Sequence, residues 1–143
     1  MKLALAEAKR AFDKDEVPIG AVICLNGEVI AKAHNLKEEM QLATAHAEIL
    51  CIEEASKVLN TWHLDDCEMY VTIEPCAMCA GAIVNSRIKK VYYGAPEKKF
   101  GAHRSIVNVL ENKAFNHFVE VESGIYAEEA TMLMQEFFKK LRK

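Results

Sequence analysis

Asn26-Gly27 separates two short apolar runs, Ile19 to Leu25 and Val29 to Ala33. An Asn-Gly pair between β-prone segments is the strongest local signal for a β-hairpin. The rest of the chain alternates between helical and extended patterns. An amphipathic helix spans Leu3 to Lys14, and Asp15 to Pro18 breaks it before the hairpin. After a polar loop from Asn35 to Leu42, Thr44 is a suitable N-cap for a helix from Ala45 to Val58, with Ile49, Ile52 and Ala55 on its apolar face. Met69 to Ile73 reads as a strand, and Pro75 suits the first turn of a helix that ends near Asn85. Val91 to Gly94 reads as a strand, Ile106 to Leu110 as a short helix, Phe118 to Val121 as a strand and Ala127 to Leu141 as the last helix. A hairpin followed by strand–helix alternation predicts an α/β fold, a three-layer α/β/α sandwich around a five-stranded mixed sheet. The long connection from Gly94 to Phe118 permits a parallel crossover.

The 143 residues suit one domain over 1–143, with no repeat, linker or low-complexity segment. No apolar run reaches the roughly 18 residues of a membrane span. Glu7, Lys9 and Arg10 interrupt the opening segment where a secretory leader needs an apolar stretch. A cytoplasmic location and no membrane partner are expected. The net charge of −3 argues against nonspecific coating of nucleic acid, but the cations are clustered. Lys139, Lys140, Arg142 and Lys143 crowd the tail, Arg87, Lys89 and Lys90 form a second group, and Lys98, Lys99 and Arg104 a third. Such groups meet phosphates; in the tail they also suit the negative end of a helix dipole.

Five cysteines, an odd number, do not suggest a disulfide framework. Cys24 and Cys51 fall in apolar stretches and read as core, while Cys67 lies in a polar loop. Cys76 and Cys79 differ. At i and i+3 near a helix N-terminus they share one face, and the dipole there favours thiolate. A catalytic zinc takes three protein ligands and a water, so one ligand remains to be found among His34, His46, His63, His103 and His117. His46 is best placed, at the start of the other helix that follows a β element, because such helix starts converge at one edge of an α/β sheet. Glu48 falls in the same first turn. A redox Cys-x-x-Cys pair, or a structural zinc with Cys67 as fourth ligand, are the alternatives.

His46-Ala47-Glu48 together with Pro75-Cys76-Ala77-Met78-Cys79 makes the His-x-Glu and Pro-Cys-x-x-Cys signature of zinc-dependent nucleobase deaminases. Around it, Val17 to Ala21, Ala33-His34-Asn35, Thr44 to Glu48, Tyr70 to Ala82, Ser86-Arg87-Ile88, Tyr93-Gly94-Ala95, Phe115-Asn116-His117 and Phe137-Phe138 resemble the bacterial tRNA-specific adenosine deaminases, within the cytidine/deoxycytidylate deaminase superfamily. The resemblance covers nearly the whole chain. It implies a cytidine deaminase-like fold, one Zn2+ per subunit on His46, Cys76 and Cys79, and Glu48 as the proton carrier. It implies hydrolysis of adenosine to inosine at the tRNA wobble position with release of ammonia, a tRNA anticodon loop as partner, and a homodimer. It also implies that Asn35, Ala47, Glu97, Asn116 and His117 surround a flipped nucleotide. Arg87, Lys99, Arg104, Lys139, Lys140 and Arg142 are then the candidate nucleic-acid contacts. The chain departs from the family pattern at Glu97, where aspartate is usual, and at Phe118, where arginine is usual. At Ala102-His103-Arg104 small residues are usual, and positive charge is added here. Free-base or nucleotide deaminases acting on guanine or cytosine carry the same motifs and are the alternative reading. A noncatalytic RNA-binding subunit with a structural zinc is disfavoured, since such subunits lose the glutamate that Glu48 supplies.

Overall fold

The computed structural model describes residues 1–142; Lys143 of the basic tail lies outside the described residues. Among these residues the elements are α1 (Lys2–Asp13), β1 (Gly20–Leu25), β2 (Glu28–His34), α2 (Lys37–Met40), α3 (Ala47–Leu59), β3 (Cys67–Ile73), α4 (Ala77–Asn85), β4 (Lys90–Ala95), β5 (Glu120–Glu122) and α5 (Ala127–Leu141). The hairpin forms where Asn-Gly predicts it. Asn26 and Gly27 both take positive φ, 52° and 81°, as a tight turn between twisted strands requires.

The five strands lie in the order β2-β1-β3-β4-β5. β1 is antiparallel to both β2 and β3, while β3, β4 and β5 run parallel, so the sheet is mixed as expected. Strand alternation sends Ala21, Ile23, Met69, Val71, Val91 and Tyr93 into one core with Cys51 of α3 and Ile83 of α4. The opposite face is covered by α1 and α5. α1 comes so close that a Cβ on Gly20 would lie 2.0 Å from the Ala4 carbonyl oxygen, so only glycine fits there. The two sheet edges are guarded: β5 has only three residues, with Glu120 and Glu122 exposed, and β2 exposes Glu28 and Lys32.

Several local expectations are corrected. Thr44 does not cap α3; His46 does, in an extended conformation with ψ 152°. Pro75 is not in the first turn of α4, because Cys76 is the N-cap with ψ 175°. Residues 106–110 form bends and irregular backbone rather than a helix. The Asn108 carboxamide oxygen accepts the Glu111 N–H, and the Val109 N–H donates to the Ala102 carbonyl, which diverts the backbone from helical pairing. The last strand covers Glu120–Glu122 instead of Phe118 to Val121. Inside the polar loop a single turn, α2, forms because the buried Glu16 carboxylate accepts the N–H groups of Glu38 and Glu39, at 3.0 and 2.6 Å. Cys67 is buried in the core as the first residue of β3, at the far end of that strand from Cys76, so it is no fourth ligand.

Candidate metal centre

α3 and α4 start at the same edge of the sheet, and their capping residues face each other. His46 immediately precedes α3, Cys76 immediately precedes α4, and Cys79 lies one turn inside α4. The Nδ1 of His46 is 3.8 Å from the Cys76 Sγ and 3.5 Å from the Cys79 Sγ. All three ligand atoms lie within 4.8 Å of one another. A tetrahedral ion with metal–sulfur bonds of about 2.3 Å and metal–nitrogen bonds of about 2.0 Å spaces its ligands by about 3.5 to 3.8 Å, so these residues fit one.

The electrostatics favour a cation. The hydrogen bond from Cys79 holds the Cys76 thiol down, with the bond to His46 adding to it against burial, at about 4. Cys79 and His46 are pushed the other way, upward, each first by its bond to Cys76. Protons are thus shared among three groups that a divalent cation would hold deprotonated. Burial pushes the Cys51 and Cys67 thiols up. In protein stripped of metal with a chelator, iodoacetamide should therefore label Cys76 well before Cys51 or Cys67, and added zinc should block that labelling. Mass spectrometry of the tryptic peptides reads the order; equal labelling of Cys51 would contradict it.

Glu48 lies in the first turn of α3 and is 3% exposed. Burial, with the Cys76 charge adding, pushes its carboxyl up to about 7. A carboxyl poised there can both take and return a proton near neutrality. Glu48, His46, Ala47 and Cys76 line a cavity of about 350 Å³, with Val17, Ile19, Asn35, Glu97, Phe100 and Phe138 among its walls. It is largely apolar with a few convergent polar groups, the composition of a small-ligand site. Asn35 is buried and doubly tied: its side chain accepts the Lys37 N–H at 3.0 Å and donates to the Val17 carbonyl at 3.4 Å.

Asn116 and His117 lie elsewhere. The His117 Nε2 bonds the Ile88 carbonyl at 2.8 Å, before the start of β4, whereas the cavity sits beyond its end, and Asn116 is exposed beside it. Of the cations, Lys99 and Arg142 line a second groove of about 580 Å³ that shares Ile73, Glu97, Met134 and Phe138 with the cavity. Arg87 is paired with Asp65 at 3.1 Å, and Lys140 with Asp15 at 2.7 Å. Lys139 is exposed, and the Arg104 guanidinium reaches out to Glu111 at 3.5 Å. His103 turns inward instead, bonded to the Tyr93 hydroxyl at 2.9 Å and to Glu111.

One residue at the site escaped the motif reading. Glu74, 3% exposed, ends its chain of contacts in the loop after β4. Burial would raise its carboxyl, but the Ser105 hydroxyl and the N–H groups of His103, Arg104 and Glu97 outweigh it and hold the group below the usual range. Glu74 immediately precedes Pro75-Cys76, but its partners lie up to 31 positions downstream, a pairing that no local pattern signals.

Residues 1–142 match the family described as MafB19-like deaminase. The tRNA-specific adenosine deaminase of Bacillus subtilis is 52% identical over 143 residues, covering 100% of this chain and 89% of its own. A solved structure from work on A-to-I editing by tRNA:A34 deaminases at the wobble position superposes with a TM-score of 0.90 at 44% identity, covering 93% of this chain and 96% of that one. The guanine deaminase of Nitrosomonas europaea shares the fold, with a TM-score of 0.82 at 23% identity over 95% of this chain and 81% of its own. The five-stranded mixed sheet is accordingly the cytidine deaminase-like architecture expected from the motifs. The chain belongs to the MafB19-like deaminase family, in the company of the tRNA-specific adenosine deaminases.

Proposed function

We propose that residues 1–143 act as one zinc-dependent deaminase domain that converts adenosine to inosine at the wobble position of a tRNA anticodon loop. The observation that carries the chemistry is the placement of Glu48 beside the His46, Cys76 and Cys79 set, with Glu48, His46 and Cys76 lining one mostly apolar cavity. The 52% identity to a tRNA-specific adenosine deaminase carries the substrate.

His46, Cys76 and Cys79 would hold one Zn2+. A zinc ion so bound supplies a water activated near neutral pH. Glu48 would take one proton from the attacking water as the water oxygen bonds to C6 of the adenine, and pass it to the ring nitrogen. It would then move the second proton, from the hydroxyl now on C6, to the amino group, so that the C6–N bond breaks, ammonia leaves and C6 keeps the oxygen as a carbonyl. Asn35, tied on both sides, and the Ala47 backbone would grip the base edge, with Glu97 in the wall of the same cavity. The base must leave its stack to reach this cavity, which a single-stranded loop permits at low cost.

Lys99 and Arg142, beside the cavity mouth, suit flanking phosphates. Lys139 and, more weakly because they are already paired, Arg104 and Lys140 would extend that field, whereas Arg87, held by Asp65 before the start of β4, could only meet a more distant part of the RNA. The protein would work as a homodimer in the cytoplasm. No helix among the described residues is long and apolar enough to cross a membrane.

The deciding experiment offers purified protein an anticodon stem-loop, guanine and cytosine in parallel. Inosine and ammonia from the stem-loop alone are expected. Turnover of guanine or cytosine without the stem-loop would support the free-base reading instead. Stem-loop affinity should fall steeply with salt, each phosphate contact adding about 0.7 to 0.9 to the logarithmic slope. Changing Lys139, Lys140 and Arg142 together to glutamine should flatten that slope while leaving turnover of free adenosine unchanged.

A further inference from the structure

Residues 97–105 follow β4 and, one bridging residue apart, form turns and irregular backbone, yet this segment builds one wall of the cavity through Glu97 and Phe100. Phe100 is 66% exposed, so little packs behind it. What shapes the segment is one carboxylate. The Glu74 Oε1 accepts the Glu97 N–H at 3.0 Å and the Ser105 hydroxyl. Its Oε2 accepts the N–H groups of His103, Arg104 and Ser105 at 2.9, 3.1 and 3.2 Å. Both ends of the segment therefore close on a single buried side chain. The neighbouring backbone reinforces the closure: the Ala102 N–H donates to the Pro75 carbonyl at 2.8 Å, and Cys76 pairs with Gly101. The segment wraps the carboxylate so tightly that a Cβ on Gly101 would lie 2.4 to 2.5 Å from its carboxyl atoms.

We propose that Glu74 is a positioning residue for substrate recognition, holding segment 97–105 so that Glu97 and Phe100 stand against the bound base and the nucleotide beside it. The proposal rests on the nucleobase reading above. Glu74 itself is not a catalytic residue. Five donors use up the roughly four lone-pair directions of a carboxylate, which leaves it nothing to offer water or substrate. Glutamine has one acceptor oxygen. In either orientation its amide NH2 faces N–H donors, so one end of the segment is released.

The test compares Glu74→Gln, Gly101→Ala and the double variant, each loaded with zinc, and begins without substrate. Amide hydrogen exchange at Glu97, His103, Arg104 and Ser105 should quicken by roughly tenfold in each single variant, as local opening becomes easier. Zinc content should match the parent. With the stem-loop, KM should rise roughly tenfold, the effect of one lost charged hydrogen bond, while kcat stays within about threefold. The double variant should be little worse than either single change, because both act through one contact. A purely structural role would reduce the active fraction and thus kcat, leaving KM unmoved. Unchanged exchange overturns the proposal, as does fast exchange with an unchanged KM. If Glu74→Gln does not fold, Gly101→Ala and Ser105→Ala carry the same comparisons. If the unaltered protein does not deaminate the stem-loop, the proposed function fails. The exchange data then still judge the segment, and KM is measured on whichever base is turned over.

Discussion

Glu48→Gln leaves fold and zinc content intact and lowers turnover by about 10²- to 10⁴-fold, the range that one general acid–base group supplies. Glutamine matches the shape of the carboxyl, and the side chain is 3% exposed, so the packing around it is preserved. What is lost is the ability to take a proton and return it. The same group acts at every step, so the loss falls on kcat and kcat/KM together. Glu48→Ala should show the same loss and additionally leave a void at the cavity floor. Ammonia release, with metal measured by elemental analysis and fold by circular dichroism, checks the expectation. Turnover near the parent level with metal unchanged would sink the proton-carrier role.

The second large effect is on stability. Cys79→Ala should lose zinc and melt with the metal-stripped parent. A ligand present at about a thousand times its Kd stabilises the folded state by about 4 kcal/mol. In a domain of this size each kcal/mol moves Tm by roughly 2 to 8 °C, so the melting point should fall on the order of 10 °C. His46→Ala should behave alike, since each removes one of the three candidate ligands. Cys51→Ala is the control: it deletes an equally buried sulfur from the core but should cost only about 1 kcal/mol and keep zinc. Melting each variant with and without chelator separates the cases. A Cys79→Ala protein whose Tm still drops on chelation would show that the metal is held elsewhere.

The hairpin and the strand–helix alternation were legible because each rests on local chemistry: Asn-Gly at a turn, apolar periodicity along a segment. The His46, Cys76 and Cys79 cluster was legible because ligand-type residues at the starts of two helices are brought together by the sheet. The helix starts were misread for a related reason. Thr44 carries the kind of side chain that bonds the free amides of a helix start, but His46 and Cys76 occupy the caps and turn their side chains toward each other instead. Residues 106–110 looked helical by their apolar content, yet Ile106 is 58% exposed and Asn108 bends the chain. Glu16 and Glu74 were invisible as organisers. Each gathers amide donors at least 22 positions away, and such pairings exist only once the sheet has formed. The position of His117 against Ile88 shows the same limit, since sequence spacing does not say at which end of a strand a loop returns.

The guarded sheet edges bear on how two copies can meet. A three-residue border strand with two glutamates at one margin, and a border carrying Glu28 and Lys32 at the other, offer a poor template for a further strand. Extending the sheet from one molecule into the next is thereby discouraged, which also protects the chain from fibrous self-assembly. Were two copies to associate, the helical and loop surfaces would be favoured over the sheet margins, leaving each sheet complete in itself.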